Sequence, residues 1–321
     1  FEQFEFYRQW QLLQRYAKAN NIQLFGDLPI YVGHDSVDVW TAQDIFLLDR
    51  DSLQPNHVSG VPPDYFSKNG QRWGNPLYDW QNKDPHIMKK LLDWWCNRFA
   101  SLFTMVDMVR VDHFRAFESY WSIPAEEKTA IKGQWIKGPG KSFFDQIFDR
   151  LGRLNIVAED LGIINKEVEI LRDELGFPGM KVLQFAFDGK TDNSFLPHNF
   201  KSADCIVYTG THDNDTSVGW FLSDKLNDEQ RSTVRCYANK GLHDAQSIHH
   251  DLMYLAQSSV SKLCIFPLQD ILGFGNDCKM NSPGVPTGNW RWRCGEEFLT
   301  PDVIQNLQAT TRRFNLSLIH I

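Results

Sequence analysis

Arg110-Val111-Asp112 sets a guanidinium and a carboxylate two residues apart at the end of an apolar run, residues 105–114. Alternate residues of a strand share a face, so the two side chains point the same way. A neighbouring cation favours the ionised carboxylate, and an ionised Asp112 could act as a nucleophile. A structural ion pair satisfies the same spacing. Glu159 closes a second apolar run, Ile156-Val157-Ala158. A carboxyl at the lip of such a strand is desolvated, which raises its pKa and suits a general acid near neutral pH. The plainer reading is an acid at the start of the next helix, a part that Asp160 fits better. A third run ends in Tyr208-Thr209-Gly210-Thr211-His212-Asp213-Asn214-Asp215. With no second His nearby and no His-x-x-x-His spacing, zinc is disfavoured. The Asp-x-Asp-x-Asp-Gly pattern of a calcium loop is also missing, so no metal is expected. His and Asp side chains together can instead hold vicinal sugar hydroxyls.

Three carboxylates at three strand ends, among 11 Trp, 9 Tyr and 23 Phe, point to glycosidic-bond chemistry. That chemistry needs one ionised and one protonated carboxyl. Indole faces can stack on sugar rings, although aromatic residues more often fill a core. No Gly-x-Ser-x-Gly elbow favours a serine hydrolase. No phosphate-binding loop or Gly-x-Gly-x-x-Gly pattern favours a nucleotide, and Gly273-Phe274-Gly275 is too short to count. No cofactor is expected.

The elements that must position these residues read as alternating strands and helices. Apolar runs predict six strands, around 24–32, 106–112, 156–160, 181–187, 205–211 and 263–269. Helical patterns cover 1–21, 85–103, 141–153 and 165–175. Continuous apolar strands suit a parallel sheet buried on both faces, so the class is α/β. Five of the six strands end in polar residues: Asp27, Arg110 with Asp112, Glu159 with Asp160, His212 with Asp213, and Gln269 with Asp270. In a TIM barrel, residues from several strand ends converge on that rim. The stretch 51–83, rich in Pro, Gly and Asn, reads as a long functional loop over the same rim.

The 321 residues carry 33 Lys+Arg against 40 Asp+Glu, a net charge of -7. This acidic balance argues against nucleic acid as a partner. No apolar run reaches the roughly 20 residues of a membrane span, so a soluble chain without a membrane partner is expected. No secretory signal is expected. The six Cys (96, 205, 236, 264, 278, 294) form no Cys-x-x-Cys pair and read as reduced cytosolic thiols. Length alone allows two domains or one barrel with insertions.

The motifs together resemble glycoside hydrolase family 77, the amylomaltases or 4-α-glucanotransferases. Arg-Val-Asp-His-Phe-Arg (110–115), Ala-Glu-Asp-Leu-Gly (158–162) and Thr-His-Asp-Asn-Asp-Thr (211–216) are similar to its three catalytic regions. Segments 26–32, 60–67, 73–78, 138–141, 267–270 and 283–293 match further stretches in family order. The resemblance implies a (β/α)8 barrel of the α-amylase clan, with about strands 3–8 present and strands 1–2 missing. It implies a partial catalytic barrel over 1–313, a lid-like insertion at 51–83, a second insertion at 114–150 and a non-native tail at 314–321. Such a fragment is expected to be poorly stable and inactive by itself.

By the same resemblance Asp112 is the nucleophile, Glu159 the general acid/base and Asp213 the transition-state stabiliser. Arg110 is the electrostatic partner of Asp112, and His212 assists Asp213. Asp64, Tyr65 and Phe66 would lie over acceptor-side sugars. Asp27, Trp73, Asn75, Gln269 and Asp270 are implied substrate contacts. The expected activity moves a segment of an α-1,4-glucan to the 4-hydroxyl of another glucan or of glucose, with retention. The expected partners are maltodextrins, amylose and glucose. Alternatives are an α-amylase-like hydrolase and an inactive glucan-binding fragment. The expected compartment is a bacterial cytoplasm or, alternatively, a plastid stroma. The oligomeric state is left open.

Overall fold

The computed structural model describes residues 1–63, 67–238, 248–285 and 287–316. They divide into two compact units, Phe1–Pro178 and the chain from Gly179 onward.

The first unit runs α1 (Glu2–Ala19), β1 (Phe25–Leu28), α2 (Val37–Thr41), β2 (His57–Val61), β3 (Gln71–Pro76), α3 (Pro85–Phe103), β4 (Met108–Val111), β5 (Ser119–Pro124), β6 (Gln134–Lys137), α4 (Lys141–Leu151), β7 (Ile156–Ala158) and α5 (Lys166–Leu175). Strands β1, β4 and β7 make a parallel sheet in the order β1-β4-β7. Their register sets Asp27 opposite Arg110 and Val111 opposite Ala158. All three residues of β7 are buried, as its unbroken apolar run requires. Helix α3 starts where Asp84 accepts the His86 N–H and Pro85 takes the first turn, a position that needs no amide donor. It buries Leu91, Leu92, Trp95, Cys96 and Phe99 against the sheet's core. Helix α5 begins at the Asn165 cap and stops at Gly176, whose φ of 67° is left-handed.

Many aromatic residues of this unit are core. Trp95 is fully buried and packs on Phe99, Phe117 and Phe143, and Phe117 on Phe144 at 4.8 Å. The core reading of the aromatic composition therefore holds for these rings.

The stretch 51–83, expected as a loop, contains two strands. β2 and β3 join β5 and β6 in a four-stranded antiparallel sheet of order β3-β2-β5-β6. Gly60 shows why the strands can pair so closely: a methyl there would lie 2.2 Å from the Gln71 carbonyl oxygen. The Pro and Gly content that reads as a loop is what lets a short, irregular ribbon form, with a register shift between Val58 and Gly60.

The second unit runs β8 (Gly179–Val182), β9 (Cys205–Tyr208), α6 (Ser217–Leu222), α7 (Asp228–Tyr237), α8 (Ile248–Gln257), β10 (Leu263–Ile265), α9 (Leu268–Ile271) and α10 (Pro301–Arg313). Its sheet is parallel, in the order β10-β9-β8. Asn227 and Gln230 form a reciprocal capping box at the start of α7. Five of the six parallel strands fall within the expected runs, each shorter; β8 begins two residues before the run expected at 181–187 and shares only Lys181 and Val182 with it. The chain turns into a short 3-10 helix at Leu183–Phe185, and Gln269 and Asp270 sit on α9 beyond the end of a strand. Of the expected tail, 314–316 follow α10 and 317–321 lie outside the described residues. Among the described residues no helix is long and apolar enough to cross a membrane.

Candidate active site

Asp112 is the first residue beyond β4, and Glu159 the first beyond β7. The Asp112 N–H donates to the Leu28 carbonyl at 3.0 Å, and the Glu159 N–H to that of Val111 at 3.0 Å. The sheet ladder thus continues through both residues and fixes where their carboxyls start. Arg110 Nη2 lies 2.7 Å from Asp112 Oδ1 and 3.0 Å from Asp27 Oδ2, and its Nε donates to Asp27 at 3.1 Å. The arginine side chain is only 12% exposed. Burial works against its charge, but Asp27, Asp112 and Glu159 outweigh burial and raise its pKa, so it is a permanent cation.

Glu159 is in the opposite condition. Burial, reinforced by the charge of Asp112, pushes its pKa up to about 8, against the pull of Arg110 and the Leu161 amide. Its Oε2 accepts the His113 N–H at 2.7 Å and its Oε1 the Leu161 N–H at 2.9 Å. The helix-capping part considered for this residue belongs elsewhere. Asn165 caps α5, and Asp160 pairs with Arg172 of that helix at 2.5 Å. The unit therefore holds one carboxylate against a fixed cation and, beside it, a carboxyl that keeps its proton at neutral pH.

Two more expected residues, Trp73 and Asn75, lie on β3. Trp73, on β3, is 39% exposed and meets the His113 ring edge-on at 4.8 Å. Asn75 donates to the Val32 carbonyl at 3.0 Å and accepts from Ser59 Oγ at 3.4 Å, which ties β3 to the segment after β1. Asp64, Tyr65 and Phe66 lie outside the described residues.

In the second unit, Asp213 is held from two sides. Asn281 Nδ2 donates to its Oδ1 at 2.6 Å, and His212 Nε2 stands 3.3 Å from its Oδ2. The His212 ring lies 5.1 Å from that of Trp290. Below them Asp215 bridges Lys225 and Lys279, and its main-chain oxygen accepts from Gln184 at 2.8 Å. Although burial opposes ionisation, the two lysines hold the Asp215 carboxyl below its usual range. Asp270 is 1% exposed, with its oxygens taken by Thr209 Oγ1 at 2.5 Å, the Ser217 N–H at 2.7 Å and Ser217 Oγ at 2.7 Å. Gln269 donates to the Cys278 carbonyl at 3.0 Å. Both residues, expected as substrate contacts, are buried; Asp270 fastens α9 to the end of β9 and the start of α6, and Gln269 ties α9 to the segment at Cys278. Among the described residues no cluster of His, Cys, Asp and Glu could hold a metal ion.

The sequence profile of the 4-alpha-glucanotransferases, glycoside hydrolase family 77, matches residues 1–298. The chain belongs to that family. It is 49% identical over 323 residues to a 4-alpha-glucanotransferase of Synechocystis, covering 100% of this chain and 62% of that one. It is 47% identical over 292 residues to the chloroplastic/amyloplastic 4-alpha-glucanotransferase of Solanum tuberosum, covering 91% of this chain and 49% of that one. Among solved structures, an amylomaltase from Streptococcus agalactiae in complex with acarbose matches with a TM-score of 0.90 and 40% identity. That match covers 98% of this chain and 62% of the other. The chain thus spans roughly half to three fifths of the length of these relatives. The likeness bears out the fold class expected from the motifs, the α/β architecture of the α-amylase clan's barrel.

Three residues of this family member escaped the sequence reading. Asn281 holds Asp213, and no spacing rule links residues 68 positions apart. Trp290 sits within the matched segment 283–293, and its ring contact with His212 and its positive φ single it out. His113 follows the expected nucleophile directly, but its importance lies in its backbone, at φ 47° and ψ 47°.

Proposed function

We propose that this chain carries the catalytic residues of a 4-α-glucanotransferase acting on α-1,4-glucans by double displacement. The observation that carries the reading is the contrast between two neighbouring carboxyls. Asp112 lies 2.7 Å from the buried Arg110 cation, and Glu159 is pushed up to about 8. A retaining glycoside reaction needs this contrast. In the proposed sequence Asp112 attacks the anomeric carbon of a bound glucan while Glu159 protonates the leaving oxygen. The covalent glycosyl-Asp112 then meets the 4-hydroxyl of an incoming glucan or of glucose, and Glu159 takes the proton of that hydroxyl. Two inversions leave the α-configuration unchanged. Asp213, held by Asn281 and flanked by His212, is proposed to grip hydroxyls of the reacting glucose more tightly as its ring flattens.

Transfer in place of hydrolysis depends on keeping water from the intermediate. Trp73 on β3, packed edge-on against His113 whose N–H binds Glu159, is the aromatic side chain proposed to serve that purpose. The proposed partners are maltodextrins, amylose and glucose. The proposed compartment is a bacterial cytoplasm, with a plastid stroma as the alternative that the name of the potato relative raises.

The test is glucose production from maltotriose, measured beside reducing-sugar release. Transfer liberates glucose and longer maltodextrins without raising total reducing ends. Asp112→Asn is expected to reduce turnover by about 10⁴-fold or more, with glucan binding retained. Turnover near the parental level in that variant would remove the nucleophile assignment. A rise in reducing ends would point to hydrolysis, and retention on amylose without turnover would point to a binding chain.

A further inference from the structure

We propose that His113 is a positioning residue: its left-handed backbone turns the chain so that its own N–H and that of Phe114 both reach Glu159, and so sets the orientation of the Glu159 carboxyl. This rests on the reading of Glu159 as the acid/base.

Beyond Asp112 the chain must leave the sheet. It does so at His113 by entering a region of backbone space that non-glycine residues rarely occupy, His, Asn and Asp more often than others. The turn sends two successive amides to one residue. The His113 N–H donates to Glu159 Oε2 at 2.7 Å, and the Phe114 N–H to the Glu159 main-chain oxygen at 3.1 Å. With the Leu161 N–H on Oε1, each carboxyl oxygen is gripped by one amide. The groups facing Glu159 are Arg110 and Asp112 from the β4 side, Asp160 beside it in the chain, and these two amides.

The surroundings of His113 keep the turn in place. Its ring is 8% exposed, meets Trp73 edge-on and stays neutral, with its pKa pushed down to about 3 by burial and by Arg115. Arg115 stacks over the Trp135 ring at 3.8 Å, donates to the Ile163 carbonyl and reaches Ser119 Oγ at 3.3 Å. The turn after Asp112 is thereby fastened to the segment after Glu159. A conformation held this firmly at a non-glycine residue is a device for pointing a donor.

An amide donated to a carboxylate favours its ionised form, so losing that donor raises the pKa further. The experiment is a pH titration of Glu159 by carboxyl ¹³C NMR in the chain and its variants, with the resonance assigned from Glu159→Gln. Thermal unfolding is followed alongside. His113→Asn and His113→Gly lose the imidazole but tolerate positive φ, whereas His113→Ala does not tolerate it readily. Asn and Gly are expected to titrate near the parent, and Ala about one unit higher. A folded Ala variant with unmoved titration would overturn the proposal. If Ala does not fold, the Asn and Gly variants decide: parental titration in both supports it, and an upward shift in both overturns it by showing that the imidazole sets the value. The titration reads Glu159 without any glucan turnover, so a failed transferase assay leaves its result standing.

Discussion

A carboxyl whose pKa is pushed up to about 8 keeps its proton through neutral pH, while the neighbouring Arg110 never loses its own. For a reaction that needs Glu159 protonated in its first step, the rate is expected to hold through neutral pH and to fall on a limb near pH 8. Glu159→Gln is expected to lose that limb together with at least about 10²-fold of the rate on ordinary glucans. Glucose release from maltotriose between pH 5 and 10 checks both. The same shift affects stability. The folded pKa lies above that of an unfolded glutamate, so folding takes up a proton as the pH rises past the unfolded value. The stabilisation is full below about pH 4.5 and is lost as the pH rises through about 8. Parental stability should therefore decline by up to a few kcal/mol across that window, and Glu159→Gln should flatten the profile in urea titrations at several pH values. The period of two in Arg110-Val111-Asp112 and the apolar run before Glu159 made these residues legible in the sequence. His113 was not legible, because a positive φ is imposed by the turn it serves and residue type marks it only weakly.

Strands show the same division between what is local and what is not. Runs such as Ile156-Val157-Ala158 announce themselves, since a strand buried on both faces must be apolar throughout. Strand β2 pairs with β5 some 60 residues on, through a register that neither segment records, and its Gly60 reads as loop until the Gln71 backbone is seen against it. The inward turn of Asp270 was hidden for a related reason: its partners Thr209 and Ser217 lie more than 50 residues away. That tie has a measurable strength. Asp270→Ala strands the Ser217 amide and two buried hydroxyls without an acceptor. It is expected to cost roughly 3 kcal/mol or more in denaturant unfolding, since each of the three groups left unmatched costs at least about 1 kcal/mol. A change below about 0.5 kcal/mol would show that the two hydroxyls and the amide find other acceptors.

Across the whole chain, apolar surface is unevenly covered. Helix α1 buries only Ala17 and leaves Phe1, Phe4, Phe6, Tyr7, Leu12, Leu13 and Tyr16 open to solvent. Edge strands β1, β7, β8 and β10 of the two parallel sheets each have one pairing partner among the described strands. Exposed apolar faces and open strand edges invite association. Light scattering is expected to show the chain self-associating at micromolar concentration, and Phe4→Glu with Tyr16→Lys to reduce it severalfold. An unchanged association state would move the cause to the strand edges. The ion pairs are uneven in a different way, which bears on ionic strength. Lys262–Asp204 and Lys89–Asp93 have lysines about 70% exposed, so salt at molar concentration, where the Debye length is about 3 Å, dissolves their attraction. Arg110 is only 12% exposed, so salt reaches this clamp only through its two part-exposed carboxylates and screens it less than the surface pairs. Brine would strip the surface of its charge pairs and leave this clamp standing, so the carboxylate it orients should tolerate salt better than the molecule around it.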